Sequence, residues 1–130
     1  MEDSIFTKII KGEIPSHKVY EDNLTIAFLP LHMLALGHIL VVPKRQVDDF
    51  FDLSAEDYEA LMLSVQKVAK RMKEVLGTKK IGIKIEGLDV PHAHVHVLAF
   101  NNHDQFKETE NLDAPVDHEK LAEFARKLAF

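Results

Sequence analysis

The run His92-Ala93-His94-Val95-His96-Val97-Leu98 constrains this chain more than any other stretch, because three histidines alternate with apolar residues at strict period two. Successive side chains on a β-strand point to opposite faces. The pattern therefore predicts a strand with His92, His94 and His96 on one face and Ala93, Val95 and Val97 on the other. A lone histidine is commonly no more than a half-buried polar residue, but three in alternation describe one buried face and one chemically active face. Imidazole titrates nearest neutrality among side chains, so such a row can supply a nucleophile, donors to phosphate oxygens and a proton carrier. The same row could instead chelate zinc, since ring nitrogens two residues apart on a strand can converge on one ion.

At 130 residues the chain is expected to form one domain with its own core, and 46% apolar with 28% charged residues is a globular rather than a disordered balance. The absence of cysteine excludes disulfides, thiolate metal sites and thiol nucleophiles. A net charge of −5 argues against a nucleic-acid partner held by counterion release. Met1-Glu2-Asp3-Ser4 lacks the pattern of a signal peptide, and the apolar stretch from Ala27 to Pro43 is broken by Pro30, His32, Gly37 and His38. No membrane association is expected, and the cytoplasm is the expected compartment.

In chain order, Ser4 can cap a short helix carrying Ile5, Phe6, Ile9 and Ile10, with Gly12 ending it. His17–Tyr20 and Leu24–Leu29 flank Glu21-Asp22-Asn23 as a hairpin, and Pro30 should stop the second strand because it has no N–H for the ladder. Gly37–Pro43 reads as a third strand. Ser54 and Gly77 bracket a long helix whose core face is predicted to be Tyr58, Leu61, Met62, Val65, Val68, Ala69, Met72, Val75 and Leu76. Ile81–Ile85 alternates like a strand, and Gly87–Pro91 turns it into the histidine strand as a hairpin. Residues 101–115 read as irregular, and Asp117 caps a final helix with Leu121, Phe124, Ala125 and Leu128 on one side. The expected fold class is α+β: an antiparallel, roughly five-stranded sheet with a short N-terminal, a long central and a C-terminal helix.

These stretches together resemble the histidine-triad (HIT) family, in its Hint-like bacterial branch. His92–Leu98 matches the family signature; Ser4–Ile10 and Gly12-Glu13-Ile14-Pro15 resemble its opening helix and loop, and Gly37–Lys44 its central strand. The resemblance runs from about residue 4 to 100 of the single domain 1–130, leaving 101–130 as an extension with its own helix. It implies a nucleotide hydrolase or transferase acting at the α-phosphate of a nucleotide derivative, without metal or other cofactor. His94 would be the nucleophile, its Nδ1 donating to a backbone carbonyl; His96 would donate to a phosphate oxygen; His92 and His38 would complete an imidazole network that orients the nucleophile. Ile5, Phe6, Ile9, Phe28, Leu31 and Leu40 fall where family members clasp the base, and Asp89 roughly where a serine meets the leaving group. A homodimer is the expected assembly. Three departures stand out. Pro30 occupies the position of the acid that usually binds the ribose hydroxyls, the 87–91 loop is shorter than in the phosphoramidase branch, and Ser4 and Thr7 replace a Cys-x-x-Cys that helps bind zinc in some members. Two rival functions remain open: a histidine-rich metal-binding protein, and a nucleotide-binding module of this fold with little turnover.

Overall fold

The protein is described as a computed structural model covering residues 2–130. Its elements are α1 (Ile5–Ile10), β1 (Lys18–Glu21), β2 (Thr25–Phe28), β3 (His38–Pro43), α2 (Ala55–Leu76), β4 (Lys80–Lys84), β5 (Val95–Phe100), α3 (His103–Lys107) and α4 (His118–Leu128). The sheet has the order β1-β2-β3-β5-β4, with every neighbouring pair antiparallel. The expected class and architecture hold, including the turn of β4 into β5.

Local chemistry sets the helix ends. Ser4, Ser54 and Asp117 each accept a hydrogen bond from a backbone N–H three residues on, satisfying donors that the first helical turn leaves unpaired. Gly77 closes α2 at φ 67, a left-handed conformation that a Cβ would strain. Leu61, Val65, Val68 and Met72 of α2 bury one sheet face together with Ile39, Val41, Val95 and Val97. The stripe expected on α2 is right except at Tyr58, which is 46% exposed. It lies in the first turn of α2 and packs edge-on against Phe50 instead. Leu121 and Leu128 of α4 join this same core, and the Arg71 guanidinium donates to the carbonyls of Lys127, Leu128 and Ala129, which a helix C-terminus leaves without partners.

The opposite sheet face carries the chemistry. Register places His38 opposite Leu98, Leu40 opposite His96 and Lys84 opposite His96, so these side chains share one face. There, α1 lays Phe6 on Ile26, Phe28, Leu40 and Val42. Two expectations need correction. Residues 101–115 are not wholly irregular, since α3 forms at 103–107 with Asn102 as its cap. Its Phe106 seats against Phe100 at 4.7 Å over Gly82, where a Cβ would fall 2.8 Å from the Phe106 ring. The histidine strand also begins only at Val95, so His92 and His94 precede it. The Ala93 N–H bonds the Val47 carbonyl at 2.7 Å, and this loop contact takes the place of a sheet ladder. Among the described residues, no helix is long and apolar enough to cross a membrane.

Candidate active site

Because the chain turns at Pro91-His92, the His92 ring leaves the row. It is wholly buried, and its Nε2 donates to the Pro43 carbonyl at 2.7 Å. With that proton placed, Nδ1 of the neutral ring accepts from Ser4 Oγ at 2.7 Å. Burial holds His92 below the ordinary histidine pKa, which keeps this neutral form. Thr7 Oγ1 donates to Gln46 Oε1 at 2.7 Å, Gln46 Oε1 also accepts from the Ser4 N–H at 2.8 Å, and Gln46 Nε2 donates to the Glu2 carbonyl. Ser4, Thr7, Gln46 and His92 thus form a polar cluster in which each member has partners, pinning α1 to the turn before β5.

That turn presents the His92 carbonyl to His94, whose Nδ1 donates to it at 2.7 Å. A carbonyl can only accept, so Nδ1 carries the proton and Nε2 of neutral His94 keeps its lone pair. The Phe6 ring meets the His94 ring edge-on with centroids 5.1 Å apart, and the His96 ring centroid lies 5.0 Å from that of His94.

His38 and His96 are diagonal neighbours across β3 and β5, with His38 Nε2 2.9 Å from His96 Nδ1. His38 Nδ1 is buried without a partner among the described residues. A buried bare lone pair is tolerated better than a buried bare N–H, so the proton sits on His38 Nε2 and is donated to His96. The His96 proton is then on Nε2, free to donate. Burial first, then the neighbouring imidazole and Lys84, push His38 down to about 3 and His96 down to about 4.

Unfolded His38 takes up a proton below its ordinary 6.5, whereas native His38 does not until about 3, so stability is intact above 6.5 and is lost as pH falls. At pH 5 His38 alone should remove about 2 kcal/mol. Urea unfolding at pH 7 and pH 5 checks this; equal stabilities would show that the pair is charged, or open to water, in the native state.

A cleft of about 320 Å³ opens beside His94 and His96, walled by Lys84, Gly87, Leu88 and Asp89 on one side and by Glu108, Thr109, Glu110 and Leu112 on the other. Glu110 Oε1 stands 3.8 Å from His96 Nδ1. His38, His96 and Glu110 have ligand atoms within 4.8 Å of one another. A cation there would need lone pairs on both facing nitrogens, forcing the His38 proton onto Nδ1, which has no acceptor. The trio therefore suits a hydrogen-bonded imidazole pair better than a metal.

The model of the HIT domain matches residues 11–103. The chain belongs to the histidine-triad family. A HIT-like protein of Borreliella burgdorferi is 32% identical over 99% of this chain and 98% of its own length. The purine nucleoside phosphoramidase of Escherichia coli K12 is 36% identical over 75% of this chain and 87% of its own. A crystal structure of a HIT-like protein from Bartonella henselae superposes with a TM-score of 0.82 at 31% identity, covering 98% and 97% of the two chains.

Within this histidine-triad chain, His94, His96 and Asp89 border the cleft, His38 lies behind His96, and His92 serves His94 through its carbonyl rather than its ring. The apolar stripe does not line this cleft but adjoins it through the contact of Phe6 with His94. Phe6 of α1 is packed on Phe28 and Leu40, Ile9 is half-buried beside them, and Ile5 and Leu31 are 47% and 49% exposed. Three participants were not legible beforehand. Lys84 could have been found from the β4–β5 register. Gln46 and Glu110 lie in loops with no periodic signal.

Proposed function

We propose that this chain hydrolyses or transfers the nucleotidyl group of a nucleotide derivative by attack of His94 on the α-phosphorus. The carrying observation is the His94 Nδ1–H bond to the His92 carbonyl, which leaves a nucleophilic Nε2 at the edge of a cleft shared with His96. The His96 Nε2–H donates to a non-bridging oxygen and stabilises its developing charge, and His38 fixes that tautomer from behind. Nucleotidyl-His94 forms as the leaving group departs, and water then returns the imidazole. The base lies against the exposed side of Ile5, Ile9 and Leu31, with Phe6, Phe28 and Leu40 as the floor. The likeness of this chain to the Escherichia coli purine nucleoside phosphoramidase supports phosphoramidates as the first class to test. Residues 1–130 act as one domain, assembled as a cytoplasmic homodimer.

The test incubates the protein with nucleoside phosphoramidates, adenylates and dinucleoside polyphosphates and measures released mononucleotide. Release from at least one class, abolished in His94→Ala, is expected. Binding without release would favour a module lacking turnover, and equimolar zinc retained through chelation would favour the metal-binding reading.

Pro30 is buried after β2, and its ring offers no side-chain acceptor to a ribose. Wild-type protein is expected to bind ribose and 2′-deoxyribose nucleotides nearly alike, whereas Pro30→Asp should tighten the ribose form roughly ten- to a hundredfold, the range for hydrogen bonds to a charged group. Calorimetry on both sugars decides it. Strong ribose preference in the wild type would mean that another acceptor has taken over.

A further inference from the structure

Resting on the nucleotidyl-transfer reading, we infer that Glu110, carried in by the segment that follows α3, is the general acid that protonates the leaving group in the cleft. Glu110 lies outside the stretch matched by the HIT domain, yet it shares one cleft with His94 and His96. Its position has a structural cause. Gly82 lets Phe106 of α3 sit directly on β4 and against Phe100, and Lys84 caps that contact with its ammonium 4.8 Å from the Phe106 ring and a bond to the Glu108 carbonyl. The chain leaving α3 is thereby brought over the histidines.

The other protons in the site are committed. The His94 Nδ1 proton is held by the His92 carbonyl, and His38 gives its own to His96. His96, neutral at working pH, can donate a hydrogen bond from Nε2 but cannot surrender that proton without becoming an anion. A departing amine therefore needs an acid from elsewhere. The groups facing Glu110 are His32 on the loop after β2, Asp89 and Glu86 on the loop before His92, Lys84 on β4, His96 on β5, and Glu108 on its own segment. Lys84 is turned to Phe106 and the Glu108 carbonyl, so no ammonium is bonded to the Glu110 carboxyl. Glu108 and Asp89 are exposed, while Glu110 is half-buried, and burial raises its pKa, with Asp89 adding to the rise and His32 opposing it.

The step balances. The His94 Nε2 lone pair forms the N–P bond as the bond from phosphorus to the leaving nitrogen breaks, and the Glu110 carboxyl proton passes to that nitrogen. In the second step water oxygen attacks phosphorus, the N–P bond to His94 breaks, and the water proton restores the Glu110 acid.

The experiment compares the first chemical step, followed before steady state, on two adenosine 5′-monophosphate derivatives. One is an N-alkyl phosphoramidate, whose amine must leave protonated; the other is a 4-nitrophenyl ester, whose phenolate need not. In Glu110→Gln, amine release should slow about 100-fold, the scale of a lost general acid, while the nitrophenolate burst slows by less than about threefold. Glu110→Asp should recover part of the amine rate. In the wild type, amine release should fall as rising pH removes the Glu110 proton, and the nitrophenolate burst should not. This profile decides the matter even if the variants fold poorly. Equal slowing of both bursts, or an undiminished amine rate in Glu110→Gln, overturns the assignment. If the wild type releases neither group, the nucleotidyl-transfer reading itself is wrong, and the role of Glu110 goes with it.

Discussion

Replacing His94 with alanine or glycine is expected to lower turnover by at least about 10³-fold while leaving nucleotide affinity within a few fold, because a nucleophile acts in the transition state rather than in the ground state. The fold should tolerate the change. His94 spends its Nδ1 proton on the carbonyl of a residue two positions earlier, in the same turn, so its loss frees one acceptor and leaves the links of α1 to that turn in place. Single-turnover rates with equilibrium binding on the same preparation separate the two effects. His94→Asn is the sharper comparison, since it can still donate near the His92 carbonyl but offers no imidazole lone pair to phosphorus. Near wild-type turnover in that variant would rule out a covalent nucleotidyl-His94.

A large effect on stability is expected from His92→Phe. The ring is wholly buried, and phenylalanine fills its place with a slightly larger planar ring that can keep the edge contact with Phe6. Both ring nitrogens are nevertheless lost: the Pro43 carbonyl loses its donor and the Ser4 hydroxyl its acceptor. Leaving buried polar groups unpaired costs about 1–3 kcal/mol each, so a loss of about 2–6 kcal/mol is expected, measured by urea unfolding. The rate should suffer too, in folded protein well below the melting temperature. The 90–93 turn is held by the His92 N–H on the Val90 carbonyl and by the Ala93 N–H on the Val47 carbonyl, and the His92 ring is the third tether of the carbonyl that aligns His94. Unchanged stability would show that the Ser4 hydroxyl re-pairs with Thr7, across the 3.3 Å that separates them, and that the Pro43 carbonyl finds another donor.

The cluster that His92 anchors also shows how position and chemistry can part. Ser4 and Thr7 stand where the family resemblance places a Cys-x-x-Cys in some members, and here they act through hydrogen bonds with Gln46 and His92. The link between α1 and the turn before β5 is made here by hydroxyls and an amide.

What the sequence by itself determined is what one element decides alone. Ser4, Ser54 and Asp117 cap their helices because a side-chain oxygen reaches an N–H three residues away whatever lies beyond. The core face of α2 follows from period 3.6, and the burial of Val95 and Val97 from period 2. Tertiary structure decided the rest, because it depends on where separate segments meet. Strand alternation was expected to carry through His92, but the Val47 carbonyl captures the Ala93 N–H before the sheet begins, which turns the His92 ring toward Ser4 and leaves only its carbonyl to the site. The His38–His96 pair is a matter of register between strands 58 residues apart. Glu110 arrives beside His96 only because a glycine on β4 leaves room for Phe106, and no local period records a contact made by a loop through a neighbour's missing side chain.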